Sequence, residues 1–232
     1  MLLRVAGWLM MIEALFMLIP IVTCLIYGES DWSVFSIIAG ITGLCGFFLS
    51  RRIRPAHYGM GKRDGFLLTS MVWVVFSVFG MLPFMFCRQP LTLSSAFFEA
   101  MSGFTTTGAS VITDISDMSH GVHIWRATMQ WLGGMGIILF TLAVIPMLNS
   151  SGGMLMFNAE VTGITHDKLR PRISETAKAL WMIYFAITAL LVALLWAGPM
   201  NFFDSLCHAF GAISTGGYST RNDGISAYGS VY

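Results

Sequence analysis

The stretches Ser95–Ser110, SAFFEAMSGFTTTGAS, and Asp204–Ser219, DSLCHAFGAISTGGYS, decide the fold, because one pattern is written twice at an offset of 109 residues. In this alignment Ala100 faces Ala209, Thr106 faces Thr215, Gly108 faces Gly217 and Ser110 faces Ser219. Each copy is an amphipathic segment running into T-x-G-x-S. Ser95 and Asp204 are good N-cap residues, and about ten residues of helix-compatible chain lead from each to its glycine. A helix that short rises about 15 Å. The hydrocarbon core of a bilayer is about 30 Å thick, so each copy is predicted to enter a membrane part-way and return. A glycine just past the helix end permits backbone angles that let successive carbonyls point one way.

Composition agrees. The 232 residues are 56% hydrophobic and 11% charged, with a mean hydropathy of +0.73, far too apolar for a soluble domain of this size. The net charge of +1 gives no reason to expect a nucleic-acid partner. Cys24, Cys45, Cys87 and Cys207 stand alone in apolar surroundings and read as buried small hydrophobes. The five histidines form no pattern with Ser or Asp, so the chain does not read as an enzyme and no cofactor is expected.

Five segments are long and apolar enough to cross: Val5 to Tyr27, Trp32 to Leu49, Phe66 to Cys87, Val122 to Leu148 and Ala179 to Ala197. The first is too long for a signal peptide and lacks a cleavage site, so it reads as a retained helix. Basic loops hold Arg51, Arg52, Arg54, Lys62 and Arg63, and Lys168, Arg170, Arg172 and Lys178. Because Lys and Arg resist translocation, both loops and the amino terminus with Arg4 are expected on the cytoplasmic side. The acidic turns with Glu29 and Asp31, with Asp114 and Asp117, and with Asp223 then face outward. Both T-x-G-x-S stretches fall on that outer side.

The chain thus divides into two additional helices (1–50), a complete first pore repeat (65–148), a cytoplasmic loop (149–178) and a second repeat (179–232). The second repeat is expected to be cut off where its inner helix should begin, near Val231. The fold class is an all-α membrane protein with outer helix, re-entrant pore helix, filter and inner helix repeats.

A dehydrated ion in a membrane needs oxygen atoms in place of water, and rings of backbone carbonyls supply them. Thr105, Thr106, Thr107 and Thr215 bring carbonyls and hydroxyls, while Gly108, Gly216 and Gly217 bring conformational freedom. The outer acids Asp114, Asp117 and Asp223 either concentrate cations at the mouth or are simply solvated loop charges.

Four blocks in order, FFEAMSGFTTTGAS at Phe97–Ser110, MQWLGGMGI at Met129–Ile137, RPRISETAKALWMIY at Arg170–Tyr184 and STGGYST at Ser214–Thr220, resemble the Trk/Ktr/HKT superfamily of potassium transporters, in particular its TrkH/TrkG type. The resemblance implies one polypeptide with four repeats around one pore, of which Gly108 and Gly217 are two corners. It implies potassium sites made by oxygens of Thr106, Thr107 and Gly108 and of Thr215, Gly216 and Gly217, with potassium as substrate. In some plant relatives a serine at the first-filter glycine accompanies sodium transport, and Gly108 here favours potassium. A bacterial inner (plasma) membrane location, homodimerisation and a cytosolic nucleotide-binding regulatory subunit of the Trk system are further implications, and either symport or channel-like transport is compatible. The other reading is a truncated, non-conducting membrane scaffold or degenerate transporter fragment.

Several residues have a bland reading beside a functional one. Gly133, Gly134 and Gly136 sit in an apolar span with no preceding strand, which suits close helix packing rather than phosphate binding. Arg126 is an intramembrane charge that either repels a second cation or pairs with Glu99 or Asp204. Glu99 and His208 occupy equivalent positions and read, with Ser110, Ser219 and Arg126, as supports behind the filter. Glu13 in the first span is expected to find a packing partner or to snorkel.

Overall fold

The computed structural model describes residues 2–52, 62–149 and 173–229, and these are helical apart from short turns and the two T-x-G-x-S stretches. The expected basic loop around Arg54, the bulk of the expected loop 149–178 and the final residues near Val231 lie outside the described residues.

The first expected span is two helices, α1 (Leu2–Phe16) and α2 (Leu18–Tyr27), with a break at Met17. Pro20 is the cause. It has no N–H to donate and its ring crowds the carbonyl four residues back, so the ladder stops at Phe16 and restarts with Pro20 in the new first turn. Gly28, at φ 69°, closes α2 in the left-handed conformation. The chain then turns into α3 (Trp32–Arg52), which returns alongside α1. The two backbones touch at glycines: a Cβ on Gly7 would lie 2.7 Å from the Gly46 carbonyl oxygen, and one on Gly46 2.6 Å from the Gly7 oxygen. Small residues are what permit such an approach between membrane helices.

The third expected span is likewise broken, into α4 (Lys62–Gly80) and α5 (Leu82–Phe86), again with a proline, Pro83, in the restarting turn. Helix α6 (Leu93–Phe104) follows, then the first T-x-G-x-S stretch and a loop, then α7 (His120–Asn149). At 30 residues α7 is about 45 Å long. The second repeat contributes α8 (Ile173–Ala197), the short α9 (Phe202–Ile213), its own T-x-G-x-S stretch, and a 3-10 turn over Gly224–Tyr228. Among the described residues, Leu3–Tyr27, Trp32–Arg52 and Thr176–Ala197 are long and apolar enough to span a membrane.

Helix α7 is the axis of the packing. On it rest α2, α4, α6, α8 and α9. One core cluster gathers Met17, Phe35, Phe84, Phe104, Trp125 and Met129, with Trp125 Nε1 donating to the Gly80 carbonyl at 3.0 Å. A second surrounds Trp131, whose ring stacks 5.0 Å from Phe210 and whose Nε1 donates to Thr188 Oγ1 at 3.1 Å. Outward residues such as Leu15, Ile26, Leu44, Leu190 and Trp196 are large, apolar and exposed, the pattern of a lipid-facing surface. Glu13 does not snorkel. It is fully buried, beside Gly80, and its two oxygens have no hydrogen-bond partner among the described residues. Snorkelling needs a helix end within reach of water, and here α4 and the end of α6 close over the side chain.

Of the α7 trio Gly133, Gly134 and Gly136, the first two pack closely. A Cβ on Gly133 would overlap the Phe104 carbonyl at the end of α6, and one on Gly134 would lie 2.7 Å from the Tyr184 hydroxyl and 3.0 Å from Ser214. Gly136 has ordinary room, 3.5 Å from Trp73.

Candidate functional site: two filter stretches and their supports

The short helices begin three residues earlier than Ser95 and Asp204. Thr92 caps α6, its Oγ1 accepting from the Ser95 amide at 3.4 Å, and Asn201 caps α9, its Oδ1 accepting from the Asp204 amide at 2.7 Å. Ser95 and Asp204 are the residues capped, not the caps. The acidic Asp204 in the first turn suits the positive end of the helix dipole. Thr92 and Asn201 are themselves 109 residues apart.

The same offset reproduces the backbone of the two stretches. The amides of Thr105, Thr106 and Thr107 donate to the carbonyls of Met101, Gly103 and Ser102, and those of Ser214, Thr215 and Gly216 donate to Phe210, Ala212 and Gly211. Thr106 and Thr215 have φ of 56° and 61°, and Gly108 and Gly217 have φ of 76° and 78°. For a threonine this left-handed conformation is costly and is sustained only when the surroundings impose it. The amides of the two stretches thus satisfy the last turn of each short helix. Among the described residues, the carbonyl oxygens of Thr106, Thr107, Gly108, Thr215, Gly216 and Gly217 accept no hydrogen bond. Those are the oxygens a dehydrated cation would use.

The two stretches also touch. A Cβ on Gly108 would overlap the Gly216 carbonyl oxygen, whereas one on Gly217 would meet nothing within 4 Å.

Behind the first stretch lies a buried ion pair. Arg126 Nε and Nη2 both reach Glu99 Oε1 at 2.8 Å, with the side chains 1% and 0% exposed. Ser110 Oγ sits 3.0 and 3.1 Å from the two Glu99 oxygens and accepts from Arg126 Nη2 at 3.1 Å, while the Val111 amide donates to Glu99 Oε2 at 3.1 Å. A buried carboxylate and guanidinium are tolerable only with such full pairing. Of the two partners open to Arg126, the structure selects Glu99. Asp204 instead takes the Thr220 hydroxyl at 2.7 Å and stands 3.9 Å from Arg221.

The pair ties one repeat to the other. Arg126 stacks 4.1 Å over the Tyr218 ring and reaches the Ser219 carbonyl at 3.5 Å. Tyr218 donates its hydroxyl to the Glu99 carbonyl at 3.0 Å. His208, equivalent to Glu99, is buried against the Tyr228 ring, and its Nε2 has no partner among the described residues. In the second repeat a histidine therefore stands where the first has the paired carboxylate.

Two residues of this site escape sequence reasoning. Tyr218 falls where the first repeat has Ala109, a difference between the copies rather than a match. Gln130 is fully buried on α7, four residues after Arg126 and so on the same face. The signal available for it was a polar side chain inside an apolar span.

Glu29 caps the start of α7, accepting from the His120 and Gly121 amides at 2.7 and 3.1 Å and facing the His120 ring nitrogen at 2.8 Å. Partial burial opposes its charge, but these hydrogen bonds prevail and hold its carboxyl below the usual value. Asp114 accepts from Asn222 at 3.1 Å, so it fastens together the two loops that follow the T-x-G-x-S stretches.

Helices too short to cross, each turning through a threonine–glycine stretch against a long inner helix, define a helical membrane protein of the pore-helix-repeat class. Residues 35–232 match the family model described as TrkH, cation transport protein. The chain belongs to that family. It is 40% identical to the Trk system potassium uptake protein TrkH of Halomonas elongata, covering 100% of this chain and 48% of that protein, and 38% identical to TrkH of Escherichia coli K12, covering 98% and 47%. The structure superposes on the crystal structure of the potassium transporter TrkH from Vibrio parahaemolyticus with a TM-score of 0.82 at 33% identity, covering 95% of this chain and 44% of that one. The chain therefore spans about half the length of the relatives it matches.

Proposed function

We propose that this chain supplies two of the four corners of a potassium-selective pore, carrying potassium into the cell down its electrochemical gradient without covalent chemistry or a cofactor. The oxygens of Thr106, Thr107 and Gly108 and of Thr215, Gly216 and Gly217 replace the water around the ion. The observation that carries this reading is the repetition of the unusual backbone: left-handed Thr106 and Gly108 recur as Thr215 and Gly217 within a few degrees. Two such stretches in contact have no use in a purely structural helix bundle, where strained threonines would only cost stability.

Glu99, Ser110, Arg126 and Ser219 brace these stretches from behind, and His208 fills the equivalent place in the second repeat. The protein sits in the plasma membrane with its amino terminus and basic loops on the cytoplasmic side. The names of its relatives as potassium uptake proteins of the Trk system favour potassium. Assembly as a homodimer with a cytosolic nucleotide-binding regulatory subunit follows from the same family reading. Two corners cannot close a ring, so the 232-residue chain expressed alone is expected to insert without conducting.

The test is potassium uptake by the full-length protein in cells lacking their own uptake systems, with Gly108→Ser. The added Cβ collides with the Gly216 carbonyl at a left-handed residue. Potassium over sodium preference is expected to fall. An unchanged preference at normal protein abundance would remove Gly108 from the filter.

A further inference from the structure

Gln130 occupies the seam between the two filter stretches. Its side chain comes from α7, the inner helix of the first repeat, yet its Oε1 accepts the amide of Tyr218 in the second filter at 3.0 Å. That bond fixes which end of the carboxamide is oxygen, because an NH2 group cannot accept from an N–H. The carboxamide lies flat against Gly216: a Cβ there would overlap Gln130 Cδ and lie 2.5 Å from Nε2. A Cβ on Gly108 would be 3.6 Å from Nε2, and one on Gly211 3.2 Å from Oε1. Nε2 itself is buried and without a partner among the described residues. One amide plane is thus wedged against glycines of both repeats, held by one hydrogen bond and carrying a free donor.

We propose that Gln130 is a positioning residue that sets the spacing of the two filter stretches and so their discrimination between potassium and smaller cations. This rests on the filter reading given above. The Tyr218 amide is the backbone group immediately after Gly217, so whatever holds it also holds the Gly216 and Gly217 carbonyls. Without Oε1 a buried amide loses its acceptor and the stretch is free to shift. Gly216 is glycine because the carboxamide occupies the place of its side chain.

The experiment measures potassium and sodium uptake by the full-length protein, with membrane abundance read in parallel, for Gln130→Met and Gln130→Glu. Methionine keeps the length but has no comparable acceptor, while glutamate retains an oxygen for the Tyr218 amide. Gln130→Met is expected to lower the potassium-to-sodium ratio about tenfold, the scale of one unsatisfied buried donor, and Gln130→Glu to recover a good part of it. If Gln130→Met does not reach the membrane, Gly216→Ala, which pushes the carboxamide aside, is expected to lower the ratio in the same way. A lowered uptake rate with an unchanged ratio, in whichever variant is present at normal abundance, overturns the proposal. The parent protein separates the two readings: if it takes up no potassium the filter reading has failed, and if it does while the variants keep its selectivity, only the role of Gln130 has failed.

Discussion

Removing one member of the Glu99–Arg126 pair should harm the protein more than removing both charges. Arg126 makes two 2.8 Å contacts to Glu99 in a place where neither side chain meets solvent. Arg126→Met leaves the carboxylate with only Ser110 and the Val111 amide. Loss of one partner from a buried pair costs about 3–5 kcal/mol, chiefly from the charge left behind. The two surviving hydrogen bonds place Arg126→Met near the lower end of that range. In Glu99→Gln/Arg126→Met a neutral amide remains, able to accept from Val111 and to bond Ser110, so the double variant should recover about 1–3 kcal/mol relative to the sum of the singles. The assay is thermal unfolding of the full-length protein in detergent at one scan rate, for the parent, both singles and the double. Additivity within about 0.5 kcal/mol would refute the reasoning, because it would mean that the two side chains do not interact. A stable Arg126→Met would refute it as well.

Gly108→Ala and Gly217→Ala share the same positive φ but not the same surroundings, so the first should lower uptake more than the second, which carries only the about 1–3 kcal/mol of left-handed strain; equal uptake by both would contradict the contact between Gly108 and Gly216. Gly133→Ala, built into the Phe104 carbonyl, should destabilise by about 1–3 kcal/mol, while Gly136→Ala should be tolerated, as thermal unfolding of the two would reveal. Glu29 has a folded-state pKa below its ordinary 4.5, so its stabilisation is full above that value and is lost as pH falls below it. Glu29→Gln should flatten the acid limb of the melting profile, and an unaltered limb would show that the cap on α7 contributes nothing.

Much of the architecture could be read from one dimension. The 109-residue repeat announces two like devices because a similar local pattern makes similar capped short helices, each running into a glycine turn. Apolar length then forbids the short helices from crossing a membrane. Prolines 20 and 83 carried a break that hydropathy windows smooth over, since an average ignores a missing N–H. The caps were displaced by one helical turn because Ser95 and Asp204 resemble caps as much as Thr92 and Asn201 do, and only backbone geometry separates a capping residue from a capped one.

What the amino-acid sequence determined alone is whatever depends on neighbours along the chain: the membrane class, the paired short helices, and the glycine that lets each T-x-G-x-S stretch turn. The tertiary structure alone decided whatever depends on residues far apart: that Arg126 meets Glu99 and not Asp204, that Gly7 meets Gly46, that Gly108 rests on Gly216, and that Gln130 lies against Gly216 and holds the Tyr218 amide. The physical reason is the range of the forces involved. Backbone preference and capping act within a few residues, whereas close packing and the pairing of buried charges are settled only when α7 brings the two repeats together.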